Sequence, residues 1–122
     1  MVLKIDELSK LGRLELEFDV VKGLKIKLHT LSVDEQHHAL ASVSSNEADP
    51  TTQYHQLQKA LLIEATELIN GEKPTKEELV KFYSEVQESL FQDVAAHYTT
   101  LLQQQNGVTE ELKKDFPVAA SH

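Results

Sequence analysis

The chain has 122 residues, about one domain's worth, which leaves no room for two independent catalytic units and sets residues 1–122 as a single domain. With 40% hydrophobic and 26% charged residues, it has the composition of a folded protein rather than of a disordered one. A formal net charge of −8, held after residue 30 where fifteen acidic side chains stand against six basic ones, repels phosphate backbones and anionic lipid, so neither nucleic acid nor membrane is an expected partner.

From Leu14 the pattern alternates: Leu14, Leu16, Phe18 and Val20 on one side, Glu15, Glu17 and Asp19 on the other. That is the period of a half-buried strand. Val21-Lys22-Gly23 supplies a turn, and alternation resumes with Leu24, Ile26 and Leu28 against Lys25, Lys27 and His29. A β-hairpin over about 13–30 follows, with strands near 13–20 and 24–30. Its first polar face is acidic and its second basic, so cross-strand charge pairs help set the register at about 0.2–1 kcal/mol each.

Helical spacing begins at Ser32-Val33-Asp34-Glu35, a capping box in which the hydroxyl accepts from a helix-start amide and Glu35 reaches back. The first helix is expected over about 33–43. After the polar loop 44–49, Asp49 as N-cap and Pro50 at the first helical position open a second helix over about 50–70, with Leu57, Leu61, Ala65, Leu68 and Ile69 on one face. Asn70-Gly71 is read as its stop. Thr75-Lys76-Glu77-Glu78 repeats the start signal, and the apolar residues from Leu79 to Leu102 predict a third helix over about 75–105, kinked or split around Glu88-Ser89 where the apolar face drifts. Asn106-Gly107 ends it, leaving a short helix and a frayed tail over 108–122. The fold class is therefore α+β: an N-terminal β-hairpin packed on a predominantly helical domain with three main helices.

Chemistry-bearing patterns are incomplete. His37 and His38 are adjacent and point about 100° apart on a helix. Glu35 and His38 match half of a di-metal helix-bundle motif whose other half is missing. Asp93 and His97 are one turn apart, the spacing of a helix-face hydrogen bond. Ser42, Ser44 and Ser45 near the paired histidines lack a nucleophile elbow, and Gly12, Gly23, Gly71 and Gly107 stand singly, so no phosphate cradle forms. No catalytic, cofactor-binding or metal-ligating residue is assigned, and no cofactor is expected. The absence of cysteine removes thiolate and disulfide chemistry and suits a reducing cytoplasm. Met1 to Asp6 shows no signal-peptide pattern.

Four of the seven aromatics, Phe82, Tyr83, Phe91 and Tyr98, fall in the expected third helix. On a single helix they cannot all face inward, so some of them, Phe91 first, are candidate anchors for a partner, ringed by Glu85, Glu88 and Asp93.

The run Leu14 to Glu35 resembles the opening of small tail assembly proteins of tailed bacteriophages, with Gly23-Leu24-Lys25-Ile26-Lys27-Leu28 in the place of their hairpin and Leu31-Ser32-Val33-Asp34-Glu35 in that of their helix start. Ile69-Asn70-Gly71-Glu72 and the acidic helix start after it are similar to tail assembly chaperones and related baseplate assembly proteins, and the likeness spans roughly residues 12–102. The resemblance implies a non-catalytic chaperone in the cytoplasm of the infected bacterium. Such a protein binds the tape-measure protein or other tail or baseplate proteins during virion morphogenesis, and a homo-oligomer is left open. The alternative is a permanent structural subunit of the virion tail or baseplate, and a small enzyme ranks behind both.

Overall fold

The computed structural model of the chain describes residues 11–43 and 49–115. In chain order the elements are β1 (Glu15–Val21), β2 (Leu24–His29), α1 (Val33–Ala41), α2 (Pro50–Ala65), β3 (Thr66–Ile69), α3 (Lys76–Glu85) and α4 (Glu88–Asp115). The architecture is α+β, an antiparallel sheet of order β1-β2-β3 packed on helices.

The hairpin register sets Glu17 opposite Lys27 and Asp19 opposite Lys25, but neither pair closes an ion pair and Lys27 reaches Glu15 at 3.5 Å instead, while Leu16 faces Leu28 and Phe18 faces Ile26. Gly23 closes the turn at φ +93°, a conformation that a side chain would strain. Both capping boxes form: Ser32 Oγ accepts from the Glu35 amide and Thr75 Oγ1 from that of Glu78, each Glu returning a carboxylate to the cap amide. The Thr75 bonds hold the Glu78 carboxyl below the usual carboxylate range. Asp49 caps α2 with Pro50 in its first turn.

The expected helix over 50–70 is shorter than its periodicity implied. It ends at Ala65, and Thr66–Ile69 pass without a loop into β3, which pairs antiparallel with β2, Ile26 opposite Ile69 and Lys27 opposite Leu68. The physical reason lies in β2, whose far edge would otherwise bury unpaired amides and carbonyls. Thr66, β-branched and suited to extended backbone, makes the switch while its Oγ1 donates to the Leu62 carbonyl at 2.7 Å. Asn70 and Gly71 supply left-handed turn residues, φ 52° and 80°, but they end a strand rather than a helix. Asn70 also locks the sheet. Its backbone N–H donates to the Lys25 carbonyl at 2.8 Å, its Oδ1 accepts from the Lys25 amide at 2.8 Å, and its Nδ2 donates to the Gly23 carbonyl at 3.1 Å.

The expected helix over 75–105 is split, as the drift of its apolar face suggested, at Val86-Gln87 rather than at Glu88-Ser89, so the domain has four helices among the described residues. Val86 adopts extended backbone, φ −66° and ψ 147°, and α4 restarts at Glu88 with Phe91 N–H donating to the Gln87 carbonyl. Asn106-Gly107 does not stop α4, which runs through both to Asp115, 28 residues or about 42 Å long. A helical glycine costs about 1 kcal/mol relative to alanine. Val108 and Leu112, one turn apart and half-buried, carry the apolar stripe past it, and Glu110–Lys113 and Glu111–Lys114 pair at 3.4 Å. The short helix expected over 108–116 is thus the end of α4 as far as Asp115, while the tail expected over 117–122 lies outside the described residues.

Ile26 and Leu28 of β2, Leu62 of α2 and Val94 and Leu101 of α4 are the largest fully buried side chains, so the core lies between the sheet and α2 and α4. Among the described residues no helix is long and apolar enough to cross a membrane.

Replacing Asn70 by Ala removes two side-chain hydrogen bonds and places a Cβ without a local partner at positive φ, so urea unfolding should show a loss of about 2 kcal/mol. Asn70→Gly restores the backbone freedom alone and should recover about 1 kcal/mol of that loss.

Candidate interaction surface

The four aromatic candidates, some of which were expected to face outward as anchors, all pack in or against the core. Tyr83, Phe91 and Tyr98 are buried and Phe82 is half-buried against the same core. The expectation that Phe91 stands outside is corrected: Phe91, Val94, Ala95, Tyr98 and Leu101 recur at three- and four-residue steps on the one buried face of α4, while adjacent Leu90 is only half-buried. The Tyr83 and Phe91 rings meet edge to face at 6.0 Å, and those of Phe82 and Tyr83 at 4.9 Å. Glu85 and Glu88 are exposed and Asp93 is half-exposed, so the acids surround a buried cluster, not an anchor. Because Thr66 Oγ1 spends its proton on Leu62, the Tyr83 hydroxyl donates to it at 2.6 Å. Burial pushes the phenol of Tyr83 up to about 12, and burial together with the Glu35 carboxylate does the same for Tyr98.

The densest polar cluster was not singled out from the sequence. His29, read as part of the polar face of the hairpin, is almost wholly buried at the end of β2, where α1 and β3 converge. Its Nδ1 lies 2.8 Å from the Thr30 carbonyl, the contact of a ring N–H donor. Its Nε2 lies 3.6 Å from Glu35 Oε2 and 3.5 Å from Glu67 Oε2, while Arg13 Nη2 donates to that same Glu67 oxygen at 2.9 Å. The cluster therefore ties residue 13, β2, the start of α1 and β3 together. No sequence spacing links Glu67 to His29, because their meeting depends on β3. The nearby hydroxyls are committed as acceptors, Thr30 Oγ1 to the Leu14 amide and Ser32 Oγ to the Glu35 amide.

The remaining histidines stay apart. His37 and His38 are exposed, and His38 Nδ1 is 3.6 Å from Glu64 rather than near Glu35. His97 Nδ1 bonds the Asp93 carbonyl at 2.8 Å, and its ring stacks on Phe18 at 3.8 Å. Ser42 Oγ donates to the Ala39 carbonyl at the end of α1, whereas Ser44 and Ser45 lie outside the described residues. Among the described residues no group of three His, Cys, Asp or Glu is placed to hold a metal ion.

What the surface does present is apolar. Val33 is 69% exposed and Leu40 55%, seven residues apart and so on one face of α1. Val33, but not Leu40, borders an open groove of about 540 Å³ lined also by Leu31, Arg13, Glu35 and Gln105, and across it stands Leu11, 46% exposed. Gln105 Nε2 donates to the Gly12 carbonyl and fixes the far wall of the groove to α4. No family model, no curated protein and no solved structure matches the chain.

Two outcomes follow from these placements. Phe91→Ala removes a buried ring from an aromatic cluster and should cost about 3–5 kcal/mol in urea unfolding. For the tyrosines, phenols at about 12 in the folded state against 10 in the unfolded chain mean that only the unfolded state loses these protons as pH first rises. Their contribution to stability is complete below pH 10 and is lost between 10 and about 12. Thermal unfolding followed across that range should show the decline, reduced in Tyr83→Phe.

Proposed function

We propose that the chain is a non-catalytic assembly chaperone of a bacteriophage tail, which binds the tape-measure protein or another tail or baseplate protein in the cytoplasm of the infected bacterium. The observation that carries this reading is the exposed apolar row Val33 and Leu40 on α1, with Leu11 across the groove. It belongs to the helix opened by Leu31-Ser32-Val33-Asp34-Glu35, the segment in which the sequence resembles tail assembly proteins. Exposed aliphatic side chains beside a groove that also carries Arg13, Glu35 and Gln105 suit the apolar stripe and polar flanks of an amphipathic helical partner awaiting assembly. The net charge of −8 keeps the free chaperone apart from its own copies and from phage DNA.

A non-catalytic role agrees with how the polar groups are spent. The buried imidazole faces carboxylates, and the hydroxyls beside it hold backbone amides, which leaves that cluster without a nucleophile paired to a base.

The test is co-expression with the tape-measure protein of the same phage. Val33→Asp combined with Leu40→Asp changes exposed positions only and should leave folding stability within about 0.5 kcal/mol. Soluble tape-measure protein recovered with the wild-type chain should be lost with the double variant. Undiminished recovery with the folded variant, or a tape-measure protein that stays soluble without the chain, would refute the reading. Recovery of the chain from purified virions would identify it as a permanent tail subunit instead.

A further inference from the structure

We propose that the outer edge of β1 is a docking site for an extended segment of a partner protein in which Lys or Arg alternates with apolar residues, added to the sheet as a fourth strand. The inference does not depend on the tail reading. It starts from the ladder: the Thr30 N–H donates to the Leu14 carbonyl at 2.9 Å, and Leu16 and Phe18 follow in register with Leu28 and Ile26. This parity turns the backbone N–H and C=O groups of Glu15, Glu17 and Asp19 away from β2. Among the described residues no strand pairs with that edge.

The side chains along the edge say what fits it. On the inner face Leu16, Phe18 and Val20 are only half-buried, whereas Ile26 and Leu28 of the central strand are fully buried. A further strand with apolar residues on this face would cover what the edge leaves open. On the outer face Glu17 and Asp19 are exposed and make no ion pair among the described residues. Basic residues on the outer face of the incoming strand would answer them. β1 already binds such a strand on its other side, since Lys25, Ile26, Lys27 and Leu28 of β2 supply that alternation against Asp19, Phe18, Glu17 and Leu16. That edge, unpaired among the described residues, offers the same side chains again.

A second copy of the chain is the wrong occupant. Its β2 is paired on both edges, and its β1 would set carboxylates beside carboxylates, an arrangement that blocks edge-to-edge self-association. The other end of the sheet is less suited, because β3 has four residues, meets β2 through an irregular register and is closed at its end by the Ile69 N–H to Glu72 carbonyl bond.

The probe is a capped peptide, Leu-Lys-Ile-Lys-Leu, titrated into the full chain and followed by amide chemical shifts and hydrogen exchange. Saturable binding is expected, with shifts and slowed exchange centred on the amides of Glu15, Glu17 and Asp19. The counterpart Leu-Glu-Ile-Glu-Leu should bind at least about tenfold more weakly, because it turns two attractive cross-strand pairs into repulsive ones. Two further peptides keep the side chains and carry N-methyl groups, one on the lysine amides and the other on the intervening amides. Since only one edge of the peptide can pair, one of the two should lose binding and the other retain it. Glu17→Pro, which removes an outward N–H from an edge strand, should abolish binding while the remaining amide spectrum stays dispersed. Failure of the parent peptide to saturate, shifts centred away from β1, or equal binding of both methylated peptides would overturn the proposal, and the peptide arms decide it even if Glu17→Pro does not fold.

Discussion

The structure depends on β2 being paired on both edges. A two-stranded hairpin is marginal in water, and it becomes a sheet here only because four residues at the end of α2 leave the helix to form β3. With β2 enclosed, Ile26 and Leu28 can be fully buried and α4 can pack across the sheet. The same pairing brings Glu67 to His29 and Asn70 to the hairpin turn, so the polar ties of the domain are consequences of this one ladder. Thr66 stands at the junction, bonded to the α2 carbonyl of Leu62 and to Tyr83 of α3.

Local signals in the sequence were faithful where the physics is local. Alternation located both hairpin strands, and the cap residues Ser32, Asp49 and Thr75 opened helices as their chemistry requires. The errors arose where a long-range demand overruled a local preference. Leu68 and Ile69 continue the helical spacing of Leu61 and Ala65, and only the unmet hydrogen bonds of β2, distant in sequence, make them a strand. Asn106-Gly107 has the composition of a helix end, yet Val108 and Leu112 prolong the apolar stripe of α4 and the helix absorbs the glycine.

The candidate surface was less legible than the fold, for a geometrical reason. Leu90 and Phe91 are adjacent and cannot share one face of a helix, and spacing alone does not say which of the two turns inward. Placing Leu90 on the inward face put Phe91 outside. In the structure Phe91 shares the buried face of α4 with Val94, Ala95, Tyr98 and Leu101 and meets Tyr83 in the core, and among the described residues the exposed large apolar ones are Val33 and Leu40 of α1 together with Leu11, Val21, Tyr54 and Val80. The His29 cluster was hidden for a related reason, since its members come from four places in the chain and share no spacing.

These placements bear on how a partner could be recognised. The ionisable groups of the sheet are largely matched to one another: Glu15 with Arg13 and Lys27, Glu67 with Arg13 and His29, Glu35 with His29 and the Ser32 amide. Matched groups of this kind fix the positions of elements and have little left to offer a ligand. What stays uncommitted is of two sorts, the aliphatic face of α1 beside its groove and the acidic, backbone-exposing edge of β1. The first is apolar and gains by excluding water; the second is directional and gains by hydrogen bonds and charge. They flank the β2 to α1 connection, Thr30 to Ser32, where Thr30 Oγ1 ties the hairpin strands, Ser32 Oγ caps α1, and His29 facing Glu35 joins β2 to the helix start, so a partner engaging either surface meets elements already held to one another.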